Sequence, residues 1–215
     1  MLLRLRVELP DLPGSLAKVT RILGVLGADV VQITVLERDA GRALDDLVVD
    51  WPGGQPRGRL VTALRNVPGV QPLGVWAASA SPEAQPEVDL VVAVVSAPAR
   101  AVRTLMDAVP MVLAADWACV SSADGRLLGA SWSAPRRPRL PAHVPARVVA
   151  LTDGVRMARA PLPGGQVLTV AREEGPAFHR SELHRLQRLL DVLDALPVKP
   201  LPAVDGAGRG LLAGA

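Results

Sequence analysis

The chain carries one cysteine, Cys119, one phenylalanine and no tyrosine. A lone thiol excludes an internal disulfide framework and cannot by itself supply a thiolate-rich metal site. Set in the apolar run "DWACV", Cys119 reads as a small buried residue and not as a reactive thiol. Aromatic residues make up 2% of the chain, too few for the stacking platforms on which proteins hold single-stranded nucleic acid. Lysine appears only at Lys18 and Lys199, so nearly all the positive charge is arginine, and the formal net charge is a mild +3. Long apolar runs are missing too. Charge or proline interrupts each of them before membrane-spanning length, so no transmembrane helix is expected. The opening "MLLRLRVELP" alternates apolar and charged residues and lacks the continuous apolar core of a secretion signal, which implies a cytoplasmic protein.

What is present is a globular composition. Over 215 residues, 49% are hydrophobic and 21% charged, enough for two small domains with separate cores. Leu3, Leu5, Val7 and Leu9 alternate with Arg4, Arg6 and Glu8, the period of a strand with one buried face. From Ser15 the period changes, and Leu16, Val19, Leu23 and Leu26 recur at helical spacing until Gly27. "ADVVQITVLERD" and "RALDDLVVDW" then read as a hairpin around Gly41. A weaker amphipathic helix follows near Arg59 to Asn66, and "GVQPLGVW" supplies a last strand. The resulting order, strand, helix, strand, strand, helix, strand, is that of a ferredoxin-like βαββαβ domain over residues 1–77. The small, Pro-containing stretch 78–87 reads as a linker.

In the segment 88–196, Val88 to Val95 fits a buried strand or a helix, and periodicity alone leaves both open. "ARAVRTLMDAV" has helical spacing, "DWACVSS" and "RLLGASW" form a hairpin around Asp124 and Gly125, and two or three more strands follow. A final helix from Arg180 to Leu196 carries Leu183, Leu186, Leu190 and Leu193 on one stripe. The Pro- and Gly-rich stretch 197–215 reads as a disordered tail.

The stretch "DLPGSLAKV" places an acidic residue, Pro and Gly directly before the first helix. Helix starts leave backbone N–H groups without intrahelical partners, and a Gly-containing turn there admits a small anionic group. With Asp11, Pro13, Gly14 and Leu16, and a strand opening at Gly27, Ala28, Asp29 and Val30, the segment resembles the ACT domain family of amino-acid-sensing regulatory modules. The resemblance implies a ligand held between the loop after the first strand of one subunit and the second strand of its partner. Those positions are Asp11, Leu12, Pro13, Gly14, Ser15 and Leu16 on one side, with Asp29, Val30 and Gln32 on the other. Backbone N–H groups near Gly14 to Leu16 would hold the carboxylate of a free amino acid, and Asp11 or Asp29 its ammonium. The plainer reading is that Asp11 caps the first helix and Gly14 only permits the turn. An apolar, proline-free second strand, with Val31, Ile33 and Val35 on one face, is expected at a sheet edge and at a homodimer interface.

The second half is similar to GAF-like sensory domains, an α/β fold with a central antiparallel sheet, in its order of helix, hairpin, further strands and closing helix. No Cys-His pair of the bilin-attaching type and no cyclic-nucleotide signature accompanies it. His179 and His184 lie five apart, about 140° around a helix, so "HRSELH" is no metal site and both are expected at a solvent-facing helix start. His143 reads as a loop residue, and the "PRRPR" stretch, Arg136 to Arg139 with Arg147 nearby, as a solvated basic loop. No phosphate loop, nucleophile elbow or dinucleotide fingerprint occurs. No catalytic residue, metal or cofactor is therefore expected. The sequence points to a non-catalytic regulatory protein that senses a free amino acid through a dimeric ACT domain, with no membrane or nucleic-acid partner. The alternatives are an assembly module whose GAF-like half carries the ligand, and an enzyme without recognisable motifs.

Overall fold

The computed structural model describes residues 1–78, 86–141, 149–152 and 154–202, which form a mixed α+β protein of two compact units. The first unit comprises Met1–Ala84 and Glu174–Ser181, the second Gln85–Glu173 and Glu182–Ala215.

The first unit runs β1 (Leu2–Pro10), α1 (Ser15–Val25), β2 (Asp29–Asp39), β3 (Arg42–Asp50), α2 (Arg57–Arg65) and β4 (Gln71–Ala77). The strands form one antiparallel sheet in the order β2-β3-β1-β4, so β2 is an edge strand. One face of the sheet holds the core. Leu3, Leu5, Val7 and Leu9 of β1 and Ala43, Leu47 and Val49 of β3 pack there with Val19, Leu23 and Leu26 from α1 and its end and Leu60 and Leu64 of α2. Helix α1 ends because Gly27 takes φ 75°, which lets the Ala28 N–H reach back to the Leu23 carbonyl at 2.9 Å. The hairpin turn places Ala40 and Gly41 at φ 47° and 75° between Asp39 and Arg42, as a two-residue connection of right-twisted strands requires.

The opposite face of this sheet carries Arg4, Arg6 and Glu8, of which Arg6 is buried and Glu8 partly exposed. Glu174–Ser181 belongs to this unit, and the Ala177 carbonyl accepts a hydrogen bond from Arg6 Nη1 at 3.1 Å. Arg6 makes a bidentate pair with Asp46 of β3 (Nε–Oδ1 2.6 Å, Nη2–Oδ2 2.9 Å), and its guanidinium lies 5.7 Å from the centroid of the buried Trp76 ring. Burial of a charge demands such a partner.

The second unit contains α3 (Pro86–Ser96), a short 3-10 turn, α4 (Ala101–Val112), β5 (Trp117–Ser121), β6 (Leu127–Ala130), β7 (Val149–Thr152), β8 (Val155–Leu162), β9 (Gln166–Arg172) and, from Glu182 on, α5 (Arg180–Asp194). Its five strands form an antiparallel sheet in the order β6-β5-β9-β8-β7. Val88 to Val95 is helical: Pro86 opens α3, and Glu87 and Asp89 sit in its first turn. The stripe of α5 that enters the core is Leu186, Leu189, Leu190 and Leu193, whereas Leu183 is only half-buried. Glu182 is buried because Arg172 of β9, with no exposed surface, donates to it at 2.7 Å and to the Leu113 carbonyl at 2.6 Å. Against the expectation of a disordered tail from Pro197, Leu201 exchanges two hydrogen bonds with the Gln166 side chain, at 2.7 and 3.0 Å. Residues 203–215 lie outside the described residues, as do His143, Arg147 and 79–85 of the expected linker.

Candidate functional site

The loop between β1 and α1 is built from a sharp reversal. Pro10 ends β1, Leu12 donates back to the Pro10 carbonyl at 2.9 Å, and Ser15 donates to the Leu12 carbonyl at 3.1 Å. Gly14 then takes φ 84°, a left-handed conformation that an L side chain adopts only with strain, and α1 starts at Ser15. Apart from Gly14 and its two chain neighbours, no atom of the described residues lies within 4 Å of where a Cβ on Gly14 would stand. No side chain caps the N-terminus of α1 and no acidic residue occupies its first turn, so its orphan N–H groups and positive dipole end are unneutralised by side chains. Leu12, Pro13 and Gly14 are exposed, Leu12 by 67%, while Ser15 is buried and Leu16 packs against the core.

Asp11 does not cap α1. Its carboxylate is taken by Arg38 of β2, with Nε 3.0 Å from both carboxylate oxygens and Nη2 2.7 Å from Oδ1. The pair holds the Arg38 guanidinium above its ordinary value. The Asp11 backbone N–H donates to the Gly41 carbonyl at 2.9 Å, which fixes the loop beside the β2–β3 turn.

The other half of the expected site lies elsewhere in the same chain. Asp29 is exposed at the far end of β2, opposite Asp50, with Val30 opposite Val49 and Gln32 opposite Val48. Ten residue steps along β2 separate Asp29 from Asp39, where the Asp11 loop sits. That is roughly 33 Å of strand. A single chain therefore does not bring the two groups together. Along the edge, Val31, Ile33 and Val35 are exposed, Val35 by 53%.

One residue at this end escaped the sequence reading. Asp45 of β3 is opposite Val7 of β1 and Val35 of β2, which sets it on the core face between Ala43 and Leu47. It is 3% exposed, and its Oδ1 has no hydrogen-bond partner. Burial pushes its carboxyl up from the ordinary value, Asp11 and Asp46 push it further, and Arg38 pulls it down. The signal was in the period-two row Ala43, Asp45, Leu47, Val49, where a carboxylate interrupts an apolar stripe.

In the second unit, burial pushes the Cys119 thiol up to about 12, which keeps it protonated and inert at neutral pH. His179 is not solvent-facing: its Nε2 lies 2.5 Å from Glu37 Oε2 and its Nδ1 2.9 Å from Ser181 Oγ, while Arg180 also binds Glu37. These contacts fall within the first unit, and His184 is exposed. Among the described residues, no three His, Cys, Asp or Glu side chains are placed to hold a metal ion, and no helix is long and apolar enough to cross a membrane. Arg136, Arg137 and Arg139 are exposed as expected, in a loop that also carries Trp132, 91% exposed.

No family model matches the chain. No curated protein matches it either. Among solved structures, a formyltetrahydrofolate deformylase from Pseudomonas putida KT2440 aligns at 20% identity and a TM-score of 0.30, over 36% of this chain and 29% of that one. An unknown protein from Galdieria sulphuraria aligns at 14% identity and a TM-score of 0.30, over 88% of this chain and 91% of that one.

Proposed function

We propose that this is a non-catalytic, cytoplasmic regulatory protein that senses a free amino acid through a dimeric ACT domain formed by its first unit, with a GAF-like second unit attached. The observation that carries the reading is the head of α1, where Gly14 at φ 84° opens space in front of a helix end that no side chain caps. A ligand carboxylate at that position accepts hydrogen bonds from backbone N–H groups and meets the positive end of the helix dipole.

The edge position of β2 supports the two-subunit form of the site. Antiparallel pairing of two β2 strands about a two-fold axis centred on Thr34 sets Asp29 of one copy opposite Asp39 of the other. That contact spans the roughly 33 Å that separates the two half-sites in one chain. Asp29, Val30 and Gln32 of one copy then wall the Asp11–Leu16 loop of the other, and the exposed Ile33 and Val35 are covered.

A second reading keeps the first unit as an assembly module and puts the ligand in the second. It is favoured by a cavity of about 200 Å³ lined by Arg159, Ala160, Leu183, His184, Leu186 and Gln187. The fully buried Ser121, whose hydroxyl has no hydrogen-bond partner, also favours it. Thermal denaturation with each of the twenty free L-amino acids tests the first reading, because a ligand that binds only the native state raises apparent stability. One or two amino acids should raise the midpoint in wild type and fail to do so in Gly14→Val. A shift retained in Gly14→Val moves the site to the second unit, and no shift at all removes the amino acid.

A further inference from the structure

We propose that Asp45 is the counter-ion for a protonated primary amine, and that the ligand of the β1–α1 loop is therefore a zwitterion gripped within one chain. The carboxylate lies at the head of α1 and the ammonium on Asp45. This deepens the amino-acid reading by naming the residue that recognises the second charge.

Three observations lead here. Asp11 and Asp29 are poor hosts for the ammonium: Asp11 is held bidentately by Arg38, and Asp29 lies at the other end of β2. Asp45 is buried and its Oδ1 lacks a hydrogen-bond partner, so its ionised form is costly unless a donor reaches it. Its position is at the correct end of the sheet. It is opposite Val7, three residues before the end of β1 at Pro10, and Asp11 and Arg38 are among the charges that act on it. Asp46, next in sequence, has its carboxylate on the opposite face with Arg6 and Arg4. Around the loop, then, Arg38 is hydrogen-bonded to Asp11 and acts on Asp45 only through space, which leaves Asp45 Oδ1 without a hydrogen-bond donor. One positively charged donor fills that place. A primary ammonium is small, carries three donors and travels with a carboxylate in every free amino acid except proline, whose ammonium is secondary. Leu12, Pro13 and Gly14, just before the head of α1, are exposed.

The experiment uses the full chain as wild type and Asp45→Asn. It combines calorimetry for affinity with carbon-detected NMR titration of the Asp45 carboxyl in wild type. The probes are the twenty L-amino acids, their N-acetyl derivatives and methylammonium chloride, with sodium chloride at equal ionic strength as control. An amino acid that binds wild type should lose about ten- to a hundred-fold in affinity in Asp45→Asn, should lower the Asp45 titration midpoint, and should be inactive when N-acetylated. If an amino acid binds wild type and Asp45→Asn alike, or binds without moving the Asp45 midpoint, Asp45 is a structural carboxyl only and the proposal fails while the amino-acid reading stands. If no amino acid binds but methylammonium lowers the Asp45 midpoint where sodium does not, the amine site stands and the amino-acid reading falls. If neither acts, both are overturned.

Discussion

Replacing Arg6 by Met keeps most of the buried stem and removes the charge, which isolates the electrostatic role of the pair with Asp46. Both side chains are 2% exposed, and the two hydrogen bonds between them measure 2.6 and 2.9 Å. Breaking a buried pair from one side leaves a carboxylate in a low-dielectric interior, at a cost of about 3–5 kcal/mol. Arg4 Nε lies 3.4 Å from Asp46 Oδ2 and remains as a partial partner. That places the expected loss near the lower bound, about 3 kcal/mol. Loss of the cation over Trp76 adds about 1 kcal/mol. Removing both charges in Arg6→Met/Asp46→Leu should recover most of this, since a buried pair and an apolar pair of similar volume are nearly equivalent in stability. The assay is urea denaturation of the four proteins of the cycle, Asp46→Leu included, followed by tryptophan fluorescence and checked for constant m-values. A single-mutant loss below about 1 kcal/mol, with additive behaviour in the double mutant, refutes the argument: the pair then behaves as a surface ion pair and the face is wet.

Three further outcomes follow from the geometry. Gly14→Asn should fold nearly as well as wild type, because Asn tolerates the left-handed region, whereas Gly14→Val should lose roughly 1–2 kcal/mol to backbone strain; both should lose amino-acid binding, as calorimetry would report. Asp45→Asn should be more stable than wild type at neutral pH. The raised carboxyl value means that the native state holds its proton more tightly than the unfolded chain, so wild-type stability falls as pH rises from the ordinary carboxylate value through the raised one. The gap between the two proteins, with Asp11, Asp46 and Arg38 unchanged in both, should therefore close as pH is lowered through that window in denaturation measured at several pH values. Sedimentation should find a dimer in wild type and monomer in Ile33→Lys/Val35→Lys, and a wild-type monomer at high micromolar concentration would remove the β2 interface.

Much of the first unit is legible in the sequence because its signals are local. The alternation of Leu3, Leu5, Val7 and Leu9, the helical spacing from Leu16 to Leu26 and the Gly41 turn each depend on neighbours within a few residues. What the sequence does not display is set by distant chain. Arg6 looks like a solvated strand residue until Ala177, 171 positions later, covers it. His179 looks like a solvent-facing helix start until Glu37, 142 positions away, binds it. Helix α3 is a different case. Its run of valines suits strand or helix alike, and the flanking Pro86 with Glu87 and Asp89 decides for the helix. For the candidate site, the Gly14 turn and the β2 edge are visible in the pattern, whereas the Asp11–Arg38 pair needs the hairpin to be folded first.

Three features of the first unit weaken it as an isolated monomer: the helix end without a cap, the buried Asp45 without a partner, and the apolar edge of β2. Each lacks a different complement. The helix end lacks an anion, Asp45 a cation and the edge a second strand. A zwitterion meets the first two needs and a second copy the third. If the partner's Asp29 end also walls the loop, the two complements are thermodynamically coupled. An amino acid that binds the dimer more tightly than the monomer must strengthen dimerisation by the corresponding factor per site, whatever the route by which the coupling is transmitted. Sedimentation with and without the bound amino acid reads that factor directly. A ligand that binds with unchanged affinity to the Ile33→Lys/Val35→Lys monomer shows instead that the site is complete within one chain. Asp45 and the head of α1 then suffice, and Asp29, Val30 and Gln32 leave the site.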